Sequence, residues 1–298
     1  MNQLVRALVR EARFAPVAPY QRFAYVCGAL LLLSGVLHAV VYLVDGGPWE
    51  GPLSWRKPIV FGLSFGVSVL TFAWFLGFLR PRRATGWLLM SVLSVASVLE
   101  VVLISMQTWR GVESHFNEDT AFDALVFSVM GAMVTLIALV TVYFAVRSFF
   151  PGDAPPVLAW AMRIGLVLIL ASQAVGAQMI AMGGNTFGDA GAMKLPHALA
   201  LHAVQVLPLL AVLLRVSPML ERRRVQTLCV GASGYVCLVV AAMLQTYRGR
   251  GPLELDLGSA AVAALGVALL AACAFVALRG AGSALRRPTG PAPAQALP

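Results

Sequence analysis

The chain has 298 residues, of which 59% are hydrophobic and only 12% charged. A soluble domain carries about 25% charged residues, so this is an integral membrane protein. The net charge of +9 does not mark a nucleic-acid binder, because the basic residues stand in short segments beside apolar runs, where they orient a membrane protein.

Residues 1–22 form a basic N-terminal segment with Arg6, Arg10, Arg13 and Arg22. Leu4, Val5, Leu8 and Val9 are interleaved with the arginines, as in a helix lying along a membrane face. A ~30 Å hydrocarbon core takes about 20 apolar residues per helical span. Eight such runs follow: 23–44, 58–79, 86–106, 123–146, 160–182, 196–214, 227–244 and 259–278. The first lacks a small-x-small cleavage signal, so it reads as a retained span. The sequence therefore predicts an all-α bundle of eight membrane spans, arranged as one four-helix half over 23–147 and a second over 148–279. A Pro/Ala-rich tail, 280–298, reads as disordered.

Arginine clusters alternate with the spans. If both termini are cytoplasmic in the plasma (inner) membrane, sixteen Lys and Arg face the cytoplasm. Six lie outside: Arg56, Lys57, Arg110, Lys194, Arg248 and Arg250. The four cysteines, Cys27, Cys229, Cys237 and Cys273, fall inside apolar runs without a CxxC pair and read as small buried hydrophobes. Gly62 and Gly66 form a GxxxG pattern suited to close helix packing.

The third span ends in Gln107-Thr108-Trp109-Arg110-Gly111, and the seventh ends 138 residues later in Gln245-Thr246-Tyr247-Arg248-Gly249. The same shift places Lys57-Pro58 on Leu195-Pro196. Four spans per half preserve orientation, so the echo predicts a parallel internal repeat about an axis along the membrane normal. Paired guanidinium groups from Arg110 and Arg248 would clamp an anionic head group, with Gln107, Gln245, Gln205 and Glu100 orienting it. The same Arg and aromatic residues would otherwise anchor helix ends at the interface.

After Gly111 comes an acidic stretch that contains His115. If it is helical, His115, Asp119 and Asp123 share one face at i, i+4 and i+8, which makes His115 and Asp119 candidates for acid/base chemistry or ion binding. His38 precedes Asp45 by seven residues, Glu100 precedes Gln107 by seven, and His202 follows His197 by five. At ~1.5 Å per residue these three side chains reach similar depth below the outer surface. Two histidines and a carboxylate fit a divalent-metal set, and two histidines alone fit a haem. Intramembrane ionisable groups face the bundle interior or a wet cavity, so an outward-opening polar cavity is expected, widened by a kink at Pro208 in the sixth span.

The segments SHFNEDTAFD (114–123) and LPHALALHAVQVLP (195–208) resemble those of an uncharacterised family of bacterial polytopic membrane proteins. The resemblance covers most of the chain and implies no particular activity. It adds Asn117 and His197 to His115 and His202 as candidates. Three functions remain open at this stage. The leading one is binding or transport of a small amphipathic or anionic molecule, with membrane lipids as partners and a lipid head group as one such ligand. The others are a metal-dependent hydrolase or haem redox enzyme working on the non-cytoplasmic side, and a structural membrane subunit.

Overall fold

A computed structural model describes residues 3–12, 18–51, 53–254 and 256–286. Within them a short helix, α1 (Gln3–Ala12), precedes eight long ones: α2 (Pro19–Asp45), α3 (Arg56–Leu79), α4 (Arg83–Trp109), α5 (Ala121–Ser148), α6 (Pro156–Ala181), α7 (Lys194–Val216), α8 (Glu221–Tyr247) and α9 (Leu257–Arg286). All eight are long and apolar enough to cross a membrane. A small antiparallel hairpin, β1 (Thr186–Phe187) and β2 (Gly191–Ala192), sits between α6 and α7. No sequence signal had pointed to it.

Most helix ends overrun the apolar stretches by a few residues, because polar and proline-bearing turns start and stop them, while α3 stops at the expected Leu79 and α6 one residue short of 182. Pro19 and Pro156 occupy first turns, where a missing N–H costs nothing. Thr120 caps α5 by accepting from the Asp123 N–H at 3.1 Å. The helix α7 runs unbroken through the buried Pro208. At the C-terminus α9 continues to Arg286, so 280–286 is helical rather than disordered, and the rest of the expected tail lies outside the described residues.

Helices that follow each other in the chain pack side by side. Among the first four spans, α2 packs on α3 and α4, and α4 on α5. Among the last four, α6 packs on α7 and α8, and α8 on α9. Glycines permit the closest approaches. A Cβ on Gly62 would lie 2.8 Å from the Gly35 backbone nitrogen, and one on Gly66 would lie 3.0 Å from the Gly28 carbonyl. The GxxxG pair of α3 thus meets a matching glycine pair on α2. On the other side of the molecule Gly234 of α8 and Gly266 of α9 face each other in the same way. Further contacts join α5 to α6 and α3 to α7. Beneath them α1 docks against α7 and α9, held by the ion pair of Glu11 with Arg215 at 2.8 Å.

The two ends of the bundle differ. One carries Arg80, Arg82, Arg83, Arg147, Arg215 and Arg222 to Arg224, and will be called the arginine-rich end. The other is formed by loops 46–55, 110–120, 182–193 and 248–256, the loop-rich end.

Candidate functional site at the loop-rich end

The two Gln-Thr-aromatic-Arg-Gly segments close their helices in the same manner. Gly111 and Gly249 have φ of 71° and 69°, a left-handed backbone that favours glycine. Their N–H groups donate back to Thr108 and Thr246, and the next N–H groups, of Val112 and Arg250, reach Gln107 and Gln245. This double closure satisfies carbonyls that a helix end leaves orphaned.

The side chains follow one scheme as well. Arg110 donates to Asp123 at 2.6 Å, and Gln107 donates to the same carboxylate at 2.8 Å. Arg248 pairs with Asp256, which Arg250 joins at 3.0 Å, while the Gln245 carbonyl accepts from Ser259 at 3.0 Å. Each motif thereby ties a helix to the start of the next. The backbone N–H of Ser259, then Arg248, hold the Asp256 carboxyl down to about 2 against the opposing effect of burial. The aromatics reach the other way. Trp109 Nε1 donates to His38 Nε2 of α2 at 3.2 Å, and the Tyr247 hydroxyl donates to Gln178 of α6 at 2.5 Å. Both proposed clamp arginines are therefore engaged by carboxylates of the chain itself, a pairing invisible to a count along the sequence.

The equal depths of His38, Glu100 and His202 do not bring them into one group. Among the described residues no three His, Cys, Asp or Glu side chains gather as a metal-holding set. Depth along a helix leaves the direction of a side chain open, and here the directions diverge. His38 is held by Trp109 and the Ser34 carbonyl. His202 meets Ser64 of α3 at 3.3 Å and Gln205 at 3.3 Å, and Gln205 reaches Ser68. Glu100 is 1% exposed on the inner face of α4. His197 is bound to Ser172 and joins α6 to α7.

The stretch 114–120 is a loop, not a helix, so His115, Asp119 and Asp123 do not share a helical face. Phe116 turns the chain with φ 58°, and Asn117 braces the turn by donating to the Glu113 carbonyl and accepting from the Asp119 N–H. Thr120 then starts α5 afresh. Asp119 is left exposed, while His115 tucks inward against Phe61 of α3, with ring centroids 5.4 Å apart. Burial first, then the charges of Lys57 and Lys194, push the His115 imidazole down to about 4. It is neutral at neutral pH and takes Ser114 as a hydrogen-bond partner at 2.9 Å.

Lys57 and Lys194 were not singled out by sequence reasoning. They stand in the first turns of α3 and α7, within electrostatic reach of each other and of Arg56, with Glu50 and Glu113 nearby. Each precedes a proline, Pro58 or Pro196, and that shared pattern was the available signal. Arg56 beside them pairs with Glu50 at 3.2 Å, and further along the same two helices Ser64 meets His202. Among the described residues, one hollow lies at the arginine-rich end and a shallower one between α8 and α9. The first, of about 310 Å³, is lined by Phe78, Ser148, Trp160 and Arg163, and the second, of about 270 Å³, by Arg223 and Cys273. Protein-family models, curated proteins and solved structures offer no match to this chain.

Proposed function

We propose that this is a multi-pass membrane protein that binds or transports a small anionic or amphipathic molecule entering at the loop-rich end. The observation that carries the reading is the approach of Lys57 and Lys194 in the first turns of α3 and α7, the two helices that meet through Ser64 and His202. Helix N-termini and ammonium groups attract an anion, and neutral His115 adds no competing charge. Below them Ser64, Ser68, His202 and Gln205 supply donors and acceptors for the remainder of a polar head. Lys57 and Lys194 replace Arg110 and Arg248 as the anion-binding pair in this reading, because their two cations approach each other across α3 and α7, whereas Arg110 and Arg248 each tie a helix to the start of the next.

The two halves are related, in the same reading, by a parallel repeat of 138 residues whose axis passes between α3 and α7. Three parallels support it: the identical closures at Gly111 and Gly249, the Arg-to-Asp ties, and the aromatic reach of Trp109 and Tyr247. The arginine excess puts the arginine-rich end and both termini in the cytoplasm and the loop-rich end outside the plasma membrane. An impermeant thiol reagent applied to intact cells then labels Asp119→Cys and spares Arg82→Cys.

The binding test uses the purified full chain with inorganic phosphate, short carboxylates and vesicles of anionic phospholipid. At least one probe raises thermal stability, and Lys57→Gln with Lys194→Gln weakens its binding by about tenfold or more, ~1.4 kcal/mol. A response to vesicles alone identifies a lipid head group, and a response to the free anions identifies a soluble ligand. Undiminished binding in the double variant overturns the reading.

A further inference from the structure

Buried polar groups without a hydrogen-bond partner are rare in proteins, and each one asks for an unseen partner. Among the described residues the orphaned buried side-chain atoms concentrate on one helix: Ser94 Oγ, Ser97 Oγ, Glu100 Oε1 and Ser105 Oγ all belong to α4. Ser94, Ser97 and Glu100 follow at intervals of three and are each at most 1% exposed, so they form one inward-facing polar strip. From Glu100 the strip runs toward the arginine-rich end of α4, while on the loop-rich side the buried Ile104 and its apolar neighbours Val126 and Met130 separate Glu100 from Gln107.

The surroundings of Glu100 offer no counter-charge. The helices packed against α4 are α2, α3 and α5. Between Pro58 and Leu79, α3 carries no titratable residue. Between Asp123 and Arg147, α5 carries only Tyr143, and between Arg22 and Asp45, α2 carries Tyr25, Cys27, His38 and Tyr42. Of these, Cys27 approaches Ser94, and His38 is already bound by Trp109. An ionised carboxylate without cation or hydrogen bond in this setting is far costlier than the protonated acid. Ser94 and Ser97 provide hydroxyls for water that would reach Glu100 along α4.

We propose that Glu100 is a proton-exchanging carboxyl, protonated in the packed state and releasing its proton to water held among the Ser94 and Ser97 hydroxyls on its arginine-rich side. The chemistry is a simple dissociation. The Glu100 O–H bond breaks, its electron pair stays on the carboxylate, and the proton passes to water along the serine hydroxyls. Coupling this step to movement of the anion rests on the function proposed above. Proton exchange itself does not, because it needs only the strip.

A hydrophobic carbodiimide, which attacks protonated carboxyls in apolar surroundings, tests the idea on the full chain in vesicles, with the modified peptide read by mass spectrometry. Glu100 is the expected site. Its labelling falls about tenfold for each unit of pH above its titration point, and the adduct is absent from Glu100→Gln. A Ser97→Ala plus Ser94→Ala variant keeps Glu100 and the packing, yet shows slower labelling and slower proton exchange. Absence of a Glu100 adduct at every pH overturns the proposal, as does labelling that is independent of pH. Protection by Na⁺ at constant pH also overturns it, in favour of a bound metal cation. Labelling is measured without anion, so a Lys57→Gln, Lys194→Gln protein that still labels at Glu100 but no longer binds anion leaves the two ideas separately decided.

Discussion

Ser64 of α3 and His202 of α7 are separated by 138 residues and meet at 3.3 Å. Equivalent positions of a two-fold arrangement touch each other only next to the axis, so this contact marks the centre of the proposed repeat. A hydrogen bond between membrane helices is worth about 0.6 kcal/mol on average. A double-mutant cycle of Ser64→Ala and His202→Ala, read by unfolding in mixed detergent micelles, is expected to return coupling of about that size. Additive losses would remove the contact from the account.

The ties of Arg110 to Asp123 and of Arg248 to Asp256 look alike but differ in burial. The Asp123 side chain is 3% exposed and that of Asp256 23%. Removing Arg110 leaves the enclosed Asp123 carboxylate to Gln107 and Thr120, whereas the more exposed Asp256 keeps Arg250 and water. Arg110→Ala is therefore expected to lower stability much more than Arg248→Ala. Equal losses in thermal unfolding would contradict the assignment.

His115 makes the 110–120 loop sensitive to acid. Its imidazole has an ordinary value of 6.5 and falls to about 4 in the closed loop. Below pH 6.5 the opened loop takes up a proton that the closed loop refuses, so closure weakens as pH falls from 6.5 towards 4 and is constant above that window. A nitroxide at Glu118→Cys should become more mobile across this range. With His115→Phe added, which keeps the stacking on Phe61, the mobility should stay flat.

The glycine contacts of α2 and α3 leave no room for a methyl group. A Cβ at Gly62 meets backbone of Gly35 at 2.8 Å, and backbone cannot swing aside as a side chain can. Overpacking of this kind costs about 1–3 kcal/mol. Gly62→Ala is expected to lose that much in thermal unfolding, while Gly131→Ala, with open space around it, loses little.

The eight spans, their order and their approximate limits were legible in the sequence because lipid demands a run of apolar residues long enough to cross it, and such a run is a one-dimensional property. The paired motifs ending in Gly111 and Gly249 were legible for a similar reason, since helix closure depends on neighbours within five residues. Partners were not. Helix composition hides the direction of each side chain, so the equal depths of His38, Glu100 and His202 looked like one site, whereas packing turned His38 to Trp109, His202 to Ser64, and Glu100 into a strip of serines. The helical face that would have joined His115, Asp119 and Asp123 does not form, because Phe116, Asn117 and Thr120 bend the chain and restart it. The approach of Lys57 to Lys194, from segments 137 residues apart, exists only once α3 and α7 are packed together. Position along the chain determined what crosses the membrane, and tertiary packing alone decided which polar groups meet inside it.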